Sequence, residues 1–242
     1  MQRINFQPIT KIERGGVGDS LLAHSIFFTI QGEGPNVGKP AVFVRLGGCN
    51  LQCPGCDTEY THAAANERLD SIITRIGMAF GDYKGERLVV ITGGEPLRQQ
   101  ITGFINALFD RGYEVQIETN GTVALADVSL LCQAAWRRLQ IVVSPKSPKI
   151  AANLHPFIVA YKYVLDADHV DPRDGLPESV LGMPGAPARP FSDFDGIVYV
   201  QPADEPEANG VKNKLNMKAT INSAMKHGYR LCLQTHKIAG LE

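Results

Sequence analysis

The chain has 242 residues, a net charge of −1 from 24 Lys and Arg against 25 Asp and Glu, and an apolar share of 44%. This length supplies one good core, and the near-zero charge offers no electrostatic purchase to a nucleic acid or an anionic membrane. No apolar run approaches the ~18 residues needed to span a bilayer, the N-terminus has no apolar signal region, and five cysteines, an odd number with three clustered, suit a reducing cytoplasm and a metal better than a disulfide framework.

Residues 1–20 read as irregular. Leu22 to Ile30 and Ala41 to Leu46 read as strands, rich in Ile, Phe and Val, joined by the turn-rich Gln31-Gly32-Glu33-Gly34-Pro35-Asn36. A cysteine loop follows the second strand. The helical spacing of Leu69, Ile72, Ile73, Ile76 and Phe80 predicts a helix over about 67–80. Strand Arg87 to Ile91 then ends in Thr92-Gly93-Gly94-Glu95-Pro96, where a helix with the face Leu97, Ile101, Phe104, Ile105 and Leu108 begins. Further strands are expected at Tyr113 to Glu118, Leu139 to Val143, Ile158 to Leu165, Gly196 to Val200 and Tyr229 to Leu233, with helices at about Val128 to Arg138 and 211–227.

Residues 166–195 interrupt this rhythm with five prolines and three glycines, and read as an insertion or lid within a single domain spanning 1–242. The strand–helix alternation implies parallel strands with right-handed crossovers. The unusual residues cluster after the strands, as in β/α barrels whose sites lie at the C-terminal strand ends. An α/β fold in the form of an incomplete barrel of about six strand–helix units, of the (β/α)6 type, fits the count.

The organising motif is Cys49-Asn50-Leu51-Gln52-Cys53-Pro54-Gly55-Cys56, a C-x3-C-x2-C spacing on one loop. An iron–sulfur cube has four irons and normally four cysteine ligands, so three thiolates leave one iron open to a cofactor. The spacing resembles the signature of the radical S-adenosylmethionine (SAM) superfamily. The competing reading is a zinc site with His62 as fourth ligand. Thr92-Gly93-Gly94-Glu95-Pro96 exposes backbone groups to a ligand, and Glu95 has the charge to neutralise an ammonium; the plain alternative is a strand–turn–helix with Pro96 at the first helical position. Ser144-Pro145-Lys146 and Gln201-Pro202-Ala203-Asp204 carry hydroxyl, amide and carboxylate groups suited to a ribose and an adenine, or to solvent. Asp57-Thr58 offers hard oxygens to Mg2+, or a helix cap or Asx turn. Arg45 lies in the apolar run Val42 to Leu46 and needs an anion, either Glu33 or a substrate carboxylate. Lys237 reads as a solvated tail lysine and His236 as a ligand contact or a surface residue. Cys132 and Cys232 read as packed thiols.

The set TIQGEGPNVGKPAVFVRLGGCN, CPGCDT, VVITGGEP, IETNGT, SPK, YVQP and QTHK resembles the 7-carboxy-7-deazaguanine synthases, radical SAM enzymes of the queuosine and deazapurine pathways, from about residue 22 to the C-terminus except for 166–195. The resemblance implies a 4Fe–4S cluster at the catalytic cysteines Cys49, Cys53 and Cys56, SAM, and Mg2+ at Thr58. It implies SAM contacts from Gly55, Cys56, Asp57, Gly94, Glu95, Ser144, Pro145, Lys146, Gln201, Pro202, Ala203 and Asp204. Substrate contacts are implied for Ile30, Gln31, Gly32, Glu33, Arg45, Thr92, His236 and the terminal Glu242. The substrate would be 6-carboxytetrahydropterin, the reductant of flavodoxin type, the assembly a homodimer, and the product would feed tRNA modification or another deazapurine route. Many members carry an aromatic residue immediately before the third cysteine; here it is Gly55, so packing for the adenine must come from elsewhere. Two rivals remain: a glycyl-radical activase sharing the cluster, and a non-enzymatic zinc module.

Overall fold

The computed structural model describes residues 5–13, 18–205 and 210–241. Ser20–Ile30 (β1) and Pro40–Leu46 (β2) form an antiparallel pair in which Phe27 faces Phe43. The parallel arrangement expected of the alternating strands and helices does not extend to this pair, which has no α-helix between its strands. The 31–39 link has no room for the dozen or more residues of a crossover, so the chain turns back directly. A strand not anticipated, Ala65–Arg68 (β3), pairs antiparallel to β1. It is four residues long and mostly polar, which suits a blunt sheet edge.

From β2 onward the sheet is parallel, through Leu88–Gly93 (β4), Glu114–Thr119 (β5), Gln140–Val143 (β6), Ile158–Leu165 (β7), Ile197–Pro202 (β8) and the two-residue Arg230–Leu231 (β9). The nine-stranded order β3-β1-β2-β4-β5-β6-β7-β8-β9 leaves β3 and β9 as edges, an unclosed barrel.

Helices cover the outer face. Leu69–Phe80 (α1) buries Ile72, Ile73, Ile76 and Phe80 against β1 and β2, each worth roughly 1.5–3 kcal/mol. The helix expected after Pro96 starts later, at Thr102–Asp110 (α2), because Pro96–Arg98 is a separate 3-10 turn capped by Glu95. The expected Val128 to Arg138 helix is likewise broken, into a short turn and Gln133–Arg138 (α3), whose first turn is capped by the Cys132 thiol accepting from Ala135 N–H. Val211–His227 (α4) covers β8, and Thr235–Ile238 (α5) carries the tail back to the barrel mouth. The main core lies between helices and sheet. The barrel interior holds only small apolar clusters, such as Ala41, Phe43, Leu88 and Val90, and a polar plug in which Asn36 donates to Gln116 at 2.6 Å and Gln140 at 2.8 Å.

Residues 166–195 contain no helix or strand, yet they are fixed. Arg189 pairs with Asp174 at 2.7 Å, Ser223 donates to the Gly175 carbonyl at 2.6 Å, and Tyr229 donates to the Asp174 carbonyl at 2.7 Å.

Candidate active site

A cavity of about 500 Å3 opens at the C-terminal ends of the parallel strands. Close backbone approach builds its wall. Gly93, at φ +132°, lies where a Cβ would stand 2.0 Å from the Leu46 carbonyl, and a Cβ on Gly94 would stand 2.2 Å from the Gly48 carbonyl. The glycine pair of TGGEP therefore packs on the backbone of Leu46 and Gly48 just before Cys49, with Glu95 N–H donating to the Gly48 carbonyl at 3.0 Å. Only glycine permits this contact, and it sets the cysteine loop beside the end of β4.

Cys49, Cys53 and Cys56 are free thiols lining this one cavity, whereas Cys132 and Cys232 do not line it. Burial pushes the Cys49 thiol up to about 12 and raises Cys53 and Cys56, so a bound cation is what would hold them as thiolates. Among the described residues, no three His, Cys, Asp or Glu side chains stand close enough to share one metal ion. His62, the zinc reading's fourth ligand, is exposed and lies outside the cavity, its backbone N–H capped by Glu59 at 2.9 Å. The N-terminal segment, unremarkable in sequence, straps the loop: Thr10 N–H donates to the Cys49 carbonyl at 2.7 Å and Asn5 N–H to the Pro54 carbonyl at 3.0 Å.

Beside the cysteines, Asp57 and Thr58 reach the cavity, 3.3 Å from each other between Thr58 Oγ1 and Asp57 Oδ1. These are oxygens of the kind Mg2+ takes. Lys237 departs from the expectation of a solvated tail residue: its ammonium stands 3.3 Å from Asp57 and 3.0 Å from Asp204, bridging the mouth. Lys146 donates to the Ser144 hydroxyl at 2.6 Å, and burial draws its pKa down. Gly55, Gly94, Gln201 and Pro202 complete the expected cofactor residues that line the cavity. Pro145 and Ala203 do not line it.

Glu95 departs from its expected place. It does not line the cavity and is fully buried, accepting from Leu97 N–H at 3.0 Å, Thr119 Oγ1 at 2.7 Å and Asn120 N–H at 2.8 Å. Its carboxyl, raised by burial to about 7, ties the end of β4 to the end of β5.

At the other end, parallel register sets Arg45 beside Thr92, and both line the cavity with Ile30, Gln31, Glu33 and His236. The Arg45 guanidinium stacks 5.3 Å above the Phe27 ring, and the partner of Glu33 is Lys162 in place of Arg45. Lys162, one-tenth exposed, also stands 3.3 Å from Glu118. Burial pushes Glu33 up, but Lys162 outweighs it and holds the carboxyl at about 2; burial raises Glu118, and Lys162 itself is raised against burial by the two carboxylates. Burial draws the His236 imidazole pKa down. Gly32 lies under that ring, where a Cβ would stand 1.9 Å from Nδ1, and it does not itself line the cavity. Glu242 lies outside the described residues. The reading of the sequence missed Lys162, although a lysine inside the apolar run Ile158 to Leu165 is the same signal that singled out Arg45. It also passed over Gln234, although that residue opens the QTHK motif, and Leu181, which lines the cavity without a motif.

The family model described as the radical SAM superfamily matches residues 43–149. The chain is 42% identical to the 7-carboxy-7-deazaguanine synthase of Rhodospirillum rubrum, over 92% of this chain and 93% of that one. It is 37% identical to the Rickettsia prowazekii protein of the same name, over 94% and 91%. The crystal structure of QueE from Escherichia coli superposes with a TM-score of 0.63 at 21% identity, covering 88% of this chain and 93% of that one, a likeness of fold.

Proposed function

The chain belongs to the 7-carboxy-7-deazaguanine synthase family of radical SAM enzymes, and from that premise we propose that it converts 6-carboxy-5,6,7,8-tetrahydropterin to 7-carboxy-7-deazaguanine with loss of ammonia. The carrying observation is that three free cysteines and the Glu33–Lys162–Glu118 array share one cavity. When bound, the cluster and SAM supply hydrogen abstraction and return, with SAM used catalytically, and Mg2+ supplies charge for the substrate carboxylate.

The protein's own part is binding, orientation and exclusion. Cys49, Cys53 and Cys56 hold the cluster. Gly55, Asp57, Gly94, Lys146, Gln201 and Asp204 line the cofactor end, and Thr58 offers its hydroxyl to the metal. Glu33 and Glu118 present carboxylates to the guanidine-like edge of a pterin, and Lys162 keeps Glu33 ionised. Arg45 and His236 flank the same space. The conversion is redox-neutral, so the abstracted hydrogen must be kept for return. The tail is joined to the first strand's loop by Gln234 donating to Glu33 at 2.7 Å and stands at the cavity mouth. A cavity of this size flanked by the tail suits a small molecule better than the protein segment an activase would admit. We read 1–242 as one domain, a cytoplasmic homodimer served by a flavodoxin-type reductant, whose product enters queuosine or another deazapurine.

The test is an anaerobic turnover of reconstituted protein with SAM, Mg2+, a strong reductant and the pterin, read by mass spectrometry. 7-Carboxy-7-deazaguanine in excess over SAM consumed is the expected result. SAM cleaved to 5′-deoxyadenosine with the pterin intact would sink the substrate assignment and leave the fold reading standing.

A further inference from the structure

Residues 166–195 reach the cysteine loop at one point. Val180 to Met183 is a tight turn, with Met183 N–H donating to the Val180 carbonyl at 2.9 Å. Its two central residues, Leu181 and Gly182, are both left-handed, at φ +51° and +76°. A turn of this hand takes Asn, Asp or Gly at its first central position, because a Cβ there crowds the backbone. Leucine is a poor choice for the turn itself; what it adds over glycine is a side chain.

That side chain has a defined setting. Gly55 N–H donates to the Leu181 carbonyl at 2.9 Å, and Gly182 lies against the Pro54 ring. Leu181 is half-buried and lines the cavity beside Cys53 and Cys56. A Cβ on Gly55 would meet Leu181 at 3.4 to 3.5 Å, so the two positions share one space. The turn is not free to swing, since Asp174 and Gly175 are tied to Arg189, Tyr229 and Ser223.

We propose that Leu181 is a cofactor-positioning residue: from residues 166–195 it supplies the apolar wall beside the third cysteine that Gly55, having no side chain, does not. The group it faces is the base of a nucleoside cofactor, and the inference rests on the radical SAM reading above. The segment is then a fixed part of the site and not a lid.

The test uses anaerobically reconstituted holoenzyme, with SAM affinity from equilibrium dialysis, iron content and melting temperature measured together. Leu181→Gly relieves the left-handed backbone, so melting temperature and iron content should hold or rise while the dissociation constant for SAM increases about tenfold. Leu181→Met should recover most of the affinity. Gly55→Phe alone should weaken binding by crowding Leu181, and Gly55→Phe with Leu181→Gly should bind better than either single variant, a non-additive cycle. Unchanged SAM affinity in Leu181→Gly with iron retained overturns the proposal and leaves the family reading intact. Loss of iron in Leu181→Gly also overturns it, since the residue then holds the loop and not the cofactor. If the unaltered protein takes up cluster but binds no SAM, the radical SAM reading fails and the proposal falls with it.

Discussion

Gln234 donates its side-chain amide to Glu33 at 2.7 Å, joining the tail after β9 to the loop after β1. The same carboxylate is paired with Lys162 from β7, so three distant segments meet at one buried charge. That end of the cavity is thus a property of the folded sheet as a whole and not of any one loop.

Removing Lys162 should therefore be costly. In Lys162→Met, Glu33 and Glu118 remain buried without their ammonium, and breaking such a pair costs ~3–5 kcal/mol. The urea midpoint should fall accordingly, and adding Glu118→Gln should restore part of it. An unchanged midpoint would mean that the array contributes nothing to folding.

Acid should loosen the same array. The folded value of Glu33, about 2, lies below its ordinary 4.5, so its contribution is present above the unfolded value and is lost as pH falls from about 4.5 towards 2. At 1.36 kcal/mol per unit the ceiling is ~3 kcal/mol. Glu118, raised by burial, works in the opposite sense as its carboxyl ionises. Denaturation at pH 3 and pH 6 should show a smaller acid loss in Glu33→Gln than in the unaltered protein; equal losses would remove Glu33 as the source.

Gly94→Ala should disrupt the contact between the ends of β2 and β4. The new Cβ would fall 2.2 Å from the Gly48 carbonyl, backbone that cannot move aside alone. Overpacking of this kind costs ~1–3 kcal/mol or more. Iron bound per chain after reconstitution should drop with the melting temperature. Normal iron loading in this variant would show that the glycine contact does not position Cys49.

Replacing Cys49, Cys53 or Cys56 singly by serine should leave background iron and sulfide after reconstitution, while His62→Ala should load normally. His62 is exposed and outside the cavity, so dependence of metal on His62 would revive the zinc alternative.

If Thr58 holds Mg2+ as proposed, Thr58→Ala should raise KM for the pterin and the Mg2+ requirement several-fold, with SAM affinity within about twofold, because one hydroxyl ligand would be lost from a metal that keeps waters. A matching loss of SAM affinity would place Thr58 on the cofactor side instead.

Much of this protein is written in local pattern. The cysteine spacing, the glycine pair before Glu95 and the period of apolar residues predict a barrel with its site at the strand ends, because strand and helix periodicity and backbone freedom at glycine are short-range properties. The tertiary structure decided what depends on pairing across the chain. β1 turns back antiparallel because its link is too short to cross over. Glu95, expected in the cavity, is spent behind it on Thr119 and Asn120. Lys162 takes Glu33 from Arg45 since β7 brings its ammonium there, and Leu181, in a segment without periodicity, lands beside Gly55. A buried charge or an apolar wall is assigned by whichever residue the fold delivers within a few ångströms, and sequence distance carries no measure of that.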